Sequence, residues 1–220
     1  MNIYSEKKVE YFSNPRLDLI SLLPEQKNSR ILEIGAGGGD TLVKIKELGL
    51  AQEVVGVELF DMPHTNQQHP AIDRMLICNI ETTELPLPKQ YFDAILCGDV
   101  LEHLLDPWAV VHKLNGHLRP GGVLIASIPN FREFKNLYKV VIKGDFTYEE
   151  AGILDKTHLK FFCKRNVLQL MQTGPLRVTK VSTNLDYTPY TTKKHVFNKL
   201  TFGLFEEFLA LQYIIVSTKS

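Results

Sequence analysis

The sequence predicts an α/β fold built on a doubly wound parallel sheet with helices on both faces. Three observations point to it. Short runs rich in Ile, Val and Leu recur along the 220 residues, segments of helical spacing separate the early ones, and glycines punctuate the passages between the two. Continuous apolar strands that alternate with helices belong to sheets covered on both sides. The first strand is expected at Arg30–Gly35 (RILEIG), followed by a helix over Asp40–Leu48 that Gly49 closes. Strands at Glu53–Leu59, Arg74–Ile80 and Phe92–Cys97 come next, then a helix over Asp106–Leu118 stopped by Pro120-Gly121-Gly122. Gly122–Ile128, Arg177–Thr183 and Gln212–Thr218 complete the set. One domain is expected over 1–220, with two less regular insertions at 131–162 and 184–209, the first dense in aromatics and suited to a substrate lid.

Composition narrows the function classes. Apolar residues make up 44% and charged residues 23%, with 25 basic against 25 acidic side chains. That balance excludes a disordered chain, and it offers no bulk charge for nucleic acid or a membrane surface. No apolar run reaches the roughly 18–20 residues of a transmembrane helix, and the opening residues lack a secretory apolar core. Three scattered cysteines form no disulfide framework. The expectation is a soluble, reduced, cytoplasmic protein with a small-molecule partner.

Chemistry concentrates after the first strand, in Glu33-Ile34-Gly35-Ala36-Gly37-Gly38-Gly39-Asp40. Glycines at a strand-to-helix turn let a ligand approach the backbone. The dinucleotide fingerprint wants Gly or Ala three residues past its second glycine, where Asp40 stands. Glu33 would repel a pyrophosphate and attract a cationic group. Glu58, at the end of the second strand, suits a carboxylate accepting from both ribose hydroxyls. Asn79 and Ile80 offer an amide oxygen and an apolar contact to an adenine. An adenosine with a cationic tail results, and S-adenosylmethionine fits it.

The ordered series ILEIGAGGG, VVGVEL, CNIE, FDAILCGDVLEHL and LRPGGVLIASIPN resembles the class I S-adenosylmethionine-dependent methyltransferases, notably the branch of the ubiquinone-biosynthesis O-methyltransferases and of bacterial glycan and secondary-metabolite methyltransferases. The resemblance implies a Rossmann-like, seven-stranded sheet whose last strand is antiparallel and inserted beside the fifth. It implies Gly35, Ala36 and Gly37 against the methionine moiety, Glu58 and Leu59 at the ribose, and Asn79 with Ile80 at the adenine. Tyr11 and Arg16, in YFSNPRLDLI, would close over the cofactor carboxylate. Gly98 and Asp99 would face the methyl-transfer centre. Asn79 replaces a commoner aspartate, which implies weaker adenine binding.

If a helical turn starts at Asp99, then Asp99, Glu102 and His103 share one face and could hold a divalent cation, Mg²⁺ or Mn²⁺ by the oxygens or Zn²⁺ by the imidazole. The alternative is a cap, with Asp99 at the N-terminus and Glu102 reaching back. The turn is similar to the E-x-x-E-H metal motif of ubiquinone-pathway and small-RNA 2′-O-methyltransferases, which adds His158 of DKTHLKFF as a further ligand. His103 and His158 are thus the candidate catalytic bases or metal ligands for a hydroxyl acceptor on a sugar, phenol or secondary metabolite. RNA or protein methylation and a non-catalytic cofactor-binding module are the other readings. Lys193-Lys194-His195 reads as a solvated turn.

Overall fold

The computed structural model describes residues 14–26, 28–187 and 193–220. Helix α1 (Leu17–Ile20) leads into strand β1 (Ser29–Ile34), helix α2 (Asp40–Glu47), β2 (Ala51–Glu58), β3 (Arg74–Ile77) and β4 (Phe92–Gly98). Then follow α3 (Pro107–His117), β5 (Leu118–Pro129), α4 (Phe134–Leu137), α5 (Lys164–Leu170), β6 (Leu176–Thr183), α6 (Lys193–Leu200), α7 (Glu206–Leu209) and β7 (Gln212–Lys219). All seven strands join one sheet in the order β3-β2-β1-β4-β5-β7-β6. Strands β1 to β5 are parallel, and β7 runs antiparallel between β5 and β6. The expected count of seven strands and the antiparallel last strand inserted beside the fifth are both present.

Alternation along the strands explains why both faces are covered. On β4, Ile95 and Cys97 join one core with Val110, Val111 and Leu114 of α3 and Val167 and Leu170 of α5. Ala94 and Leu96 join the opposite core, with Leu42 and Ile45 of α2 and Leu19 and Ile20 of α1. Each fully buried Leu, Ile or Val among them contributes on the order of 1.5–3 kcal/mol of transfer free energy. Among the described residues, no helix is long and apolar enough to cross a membrane. Cys78, Cys97 and Cys163 are free thiols.

Three local expectations are corrected. β3 stops at Ile77, because Asn79 turns the chain: its Oδ1 accepts the Glu81 N–H at 2.8 Å. β5 begins at Leu118 rather than Gly122. Phe92 pairs with Leu118, the register then slips, and Ala94 pairs with Val123, so Pro120-Gly121-Gly122 is a bulge within the strand. A Cβ on Gly122 would sit 2.9 Å from the Arg119 carbonyl oxygen and 3.0 Å from that of Phe92, so the bulge closes only around glycine. Lys193-Lys194-His195 opens helix α6 instead of a turn.

Candidate active site

The carboxyl ends of β1, β2 and β4 meet where the strand order reverses, the usual ligand position in doubly wound sheets. A cavity of about 660 Å³ opens there, in the size range of small-ligand sites. Gly35, Ala36 and Gly37 form its floor. Gly35 has φ +69°, and a Cβ there would collide with the Val100 Cγ2 methyl. The Glu58 carboxylate holds the loop: Oε2 accepts the Gly37 N–H at 2.8 Å, and Oε1 accepts the Leu59 N–H at 2.6 Å. Burial raises the Glu58 carboxyl above its ordinary value, against the pull of these amides. Glu58 lines the cavity, and a carboxylate oxygen with one amide bonded keeps further acceptor capacity. Gln67 grips the loop from outside, its Nε2 donating to the Gly37 carbonyl at 2.8 Å.

Glu33 projects from the middle of the sheet's end and is 3% exposed, with Oε2 lacking a hydrogen-bond partner. Burial pushes its carboxyl up to about 8, although Thr41 and Arg16 act in the other direction. A buried acid of this kind is poised to ionise when a cation enters.

Arg16, just before α1, reaches the same wall. Nη1 donates to Asp99 Oδ2 at 2.6 Å, and Nε and Nη2 bracket Asp18 at 3.0 and 2.7 Å. Gly98 makes room, since a Cβ there would lie 3.0 Å from Arg16 Nη1. Tyr11, the expected companion of Arg16, lies outside the described residues. Asp99 Oδ1 accepts Gln212 Nε2 at 2.6 Å and the Ser127 hydroxyl at 3.1 Å.

Asp99 therefore starts no helical turn. Its φ of +54° breaks the chain, and the turn that follows is a 3₁₀ segment over Leu101–His103 without a side-chain cap. Both the shared helical face and the capping box are overturned. Strain at a non-glycine left-handed position is held by the three partners of its carboxylate.

Beyond β3, Asn79 is exposed and its oxygen is already engaged by Glu81 N, while Ile80 is 7% exposed against the cavity. Lys113 of α3 fastens this loop, donating to the Ile80 carbonyl at 2.8 Å and the Thr83 carbonyl at 3.1 Å. Leu59 lines the opposite side, partly exposed.

Glu102, His103 and His158 form the far wall, each offering a ligand atom within 4.8 Å of the others. Asp99 is not in this group. The imidazoles of His103 and His158 lie 4.7 Å apart between centroids. Their Nδ1 atoms meet the carbonyls of Thr157 at 3.0 Å and Ile153 at 2.9 Å. A carbonyl only accepts, so each Nδ1 carries the proton and the neutral ring's lone pair sits on Nε2. Glu102 is 1% exposed with neither oxygen hydrogen-bonded, and His158 Nε2 stands 4.0 Å from its Oε1. Burial, reinforced by the Asp99 charge, raises the Glu102 carboxyl well above its usual range.

Segment 131–162 supplies Gly152, Ile153 and His158 to the cavity. Its aromatics mostly pack on one another, with Phe131, Phe146, Tyr148 and Phe161 in a ring cluster. Of the described part of 184–209, Asn184 alone lines the cavity. Ser127, Gln212, Gln67 and Lys113 are among the site residues that sequence reasoning missed, with Thr41, Ile153 and Asn184. Ser127 had a signal, as a lone polar residue in the apolar run GVLIASI. Gln67, in MPHTNQQHP, and Gln212, 113 residues from Asp99, had none.

Comparison with known proteins agrees with this geometry. Residues 7–181 match the methyltransferase domain family. A ubiquinone biosynthesis O-methyltransferase of Xanthomonas campestris is 27% identical over 204 residues, covering 88% of this chain and 81% of the relative. A protein of the same description from Coxiella burnetii is 24% identical over 192 residues, covering 86% and 80%. Among solved structures, a SAM-dependent methyltransferase from Archaeoglobus fulgidus superposes with a TM-score of 0.64 at 19% identity, covering 96% of this chain and 95% of its own.

Proposed function

The chain belongs to the methyltransferase domain family and is an S-adenosylmethionine-dependent methyltransferase; from that premise we propose that its acceptor is a small molecule methylated on a hydroxyl oxygen. The observation that carries this reading is the imidazole pair on the cavity wall, with Nδ1 of both rings committed to backbone carbonyls. Nε2 of His103 or His158 takes the hydroxyl proton, a role suited to imidazole near neutral pH. Both curated relatives described above carry an O-methyltransferase description, which supports an oxygen acceptor.

The residues fit the cofactor. Glu58 would hold the ribose, Asn79 and Ile80 the adenine, Gly35 to Gly37 the methionine backbone and Leu59 the sugar edge. Glu33, whose Oε2 has no hydrogen-bond partner, would meet the ammonium, and Arg16, set by Gly98 and Asp99, the carboxylate. Bound S-adenosylmethionine supplies a methyl on a sulfonium, which is already an activated leaving group. The chain's contribution is to align the acceptor and exclude water.

A second reading adds a divalent metal on Glu102, His103 and His158. It is favoured by the two buried Glu102 oxygens without partners, and by the backbone carbonyls that orient both imidazoles as in ligating histidines. Two nitrogens and one oxygen suit Zn²⁺ or Mn²⁺ better than Mg²⁺. A bound cation would acidify the acceptor hydroxyl.

The test is methyl transfer to a panel of small hydroxyl compounds, with the product bond identified by NMR. His103→Ala and His158→Ala are expected to lower kcat by about 100-fold or more while S-adenosylhomocysteine affinity changes little. Loss of turnover in EDTA, restored by Zn²⁺ or Mn²⁺, selects the metal reading; indifference to EDTA selects the imidazoles alone. N-methyl or C-methyl products, or full turnover in both variants, overturn the proposal.

A further inference from the structure

One turn, residues 153–158, supplies both backbone carbonyls that orient the imidazoles. The Thr157 carbonyl faces His103 Nδ1 at 3.0 Å, and the Ile153 carbonyl faces His158 Nδ1 at 2.9 Å. Midway between those two residues stands Asp155, which is 1% exposed. Its carboxylate lies behind the cavity wall and is outside the group formed by Glu102, His103 and His158. A carboxylate buried this deeply is costly unless hydrogen bonds engage it. Here Oδ1 accepts the Thr157 N–H at 2.9 Å and the Thr157 hydroxyl at 2.7 Å.

An aspartate that binds the backbone two residues on fixes a turn. With its N–H and its hydroxyl both clasped, Thr157 keeps its carbonyl aimed at His103. Asp155 holds the second histidine through its backbone, its carbonyl accepting the His158 N–H at 2.9 Å. The chain beyond the turn is fastened to the segment that carries His103, because the Leu159 and Lys160 N–H groups both donate to the Glu102 carbonyl at 2.9 Å. On the other side, the Lys156 N–H donates to the Glu149 carbonyl at 2.9 Å. A neutral imidazole whose Nδ1 meets a carbonyl keeps its proton there. If the carbonyl turns away, the proton is free to move to Nε2, the atom that the chemistry needs bare.

We propose that Asp155 is a positioning residue of this site: through Thr157 and the 153–158 turn it sets the orientation and the tautomer of His103 and His158. Its effect on turnover rests on the imidazole reading given above, whereas its effect on the rings does not. The orientation is needed whether Nε2 takes a proton or binds a cation. A carboxylate that merely steadied a loop would change the melting temperature and leave both tautomers as they are.

Proton–nitrogen NMR spectra of the full chain, with ¹⁵N-labelled histidines, bound S-adenosylhomocysteine and a pH of about 8 where imidazoles are neutral, read each tautomer directly. His103→Gln and His158→Gln assign the signals. His117 is the internal reference, since its Nδ1 meets the Pro88 carbonyl at 2.9 Å in another part of the fold. All three rings are expected to carry the proton on Nδ1 in the wild type. In Asp155→Ala, His103 is expected to lose that pattern while His117 keeps it. Thr157→Val preserves the shape and drops the hydroxyl, so it should move His103 in the same direction, and it serves if the alanine variant fails to fold. Asp155→Asn retains an acceptor oxygen for Thr157 and should restore the wild-type spectrum. Unchanged S-adenosylhomocysteine affinity certifies the fold of each variant. With the best hydroxyl acceptor of the panel, Asp155→Ala should lower kcat by about 10–100-fold and leave KM nearly the same. Wild-type tautomers in both folded variants, an asparagine spectrum as altered as the alanine one, or wild-type rings protonated on Nε2 overturns the proposal. Altered tautomers with kcat intact leave it standing and overturn the imidazole reading instead.

Discussion

At the residue scale the site is governed by how few polar groups it buries and how each is occupied. Asp99 is fully engaged, by Arg16, Ser127 and Gln212, so it acts through the position of Arg16. Glu33 is the reverse, a buried carboxyl with one oxygen unpartnered and its pKa lifted to about 8 by burial. Below pH 8 the ligand-free protein therefore keeps Glu33 protonated, and a ligand ammonium must displace that proton. Affinity for S-adenosylhomocysteine is expected to rise as pH climbs from 6 to 8, by at most about tenfold per unit, and to level off above. Calorimetry in buffers of different ionisation enthalpy should register proton release at pH 7, and Glu33→Gln should abolish both the release and the slope. A flat profile in the wild type would remove Glu33 from cation recognition.

Individual elements place these residues, and their ends matter most. α3 begins where the Asp106 side chain accepts the Ala109 N–H at 3.0 Å, with Pro107 in the first turn. Asp106→Ala is expected to cost about 1 kcal/mol, lowering Tm by roughly 2–4 °C in a chain of this length. The same helix carries Lys113, which ties down the loop at Ile80. Lys113→Met preserves the aliphatic stem and frees the carbonyls, so it should weaken S-adenosylhomocysteine binding with little change in Tm. Equal loss in both measurements would make Lys113 a stability residue alone. β5 illustrates the opposite dependence of an element on one residue type: its bulge closes only around Gly122, whose absent Cβ leaves room for the carbonyl oxygens of Arg119, Phe92 and Asp93.

The whole molecule supplies rigidity. Two cores on opposite faces of the sheet meet through alternate residues of the same strands, so a defect on one face displaces groups at the carboxyl ends. Leu96 is completely buried, two residues before Gly98. Leu96→Ala is expected to destabilise the fold by about 2–5 kcal/mol, read by urea unfolding; a loss below about 1 kcal/mol would mean that the core collapses around the gap.

Much of this was legible in the residues alone. Strand positions and the α2 and α3 helices follow from local apolar periodicity and from glycine or proline punctuation, and both signals survive any tertiary arrangement. The glycine loop, Glu33 and Glu58 were legible because a strand-to-helix turn restricts which residues can serve there. Only the tertiary structure decided how Asp99 is used, since its partners come from the residue before α1, from β5 and from β7, the last 113 residues away. It decided likewise that Glu102, His103 and His158 meet without Asp99, because a left-handed residue cancels the helical spacing that would have joined them. Local pattern determines elements, whereas the convergence of distant side chains is set by strand order and packing, which no window of sequence contains.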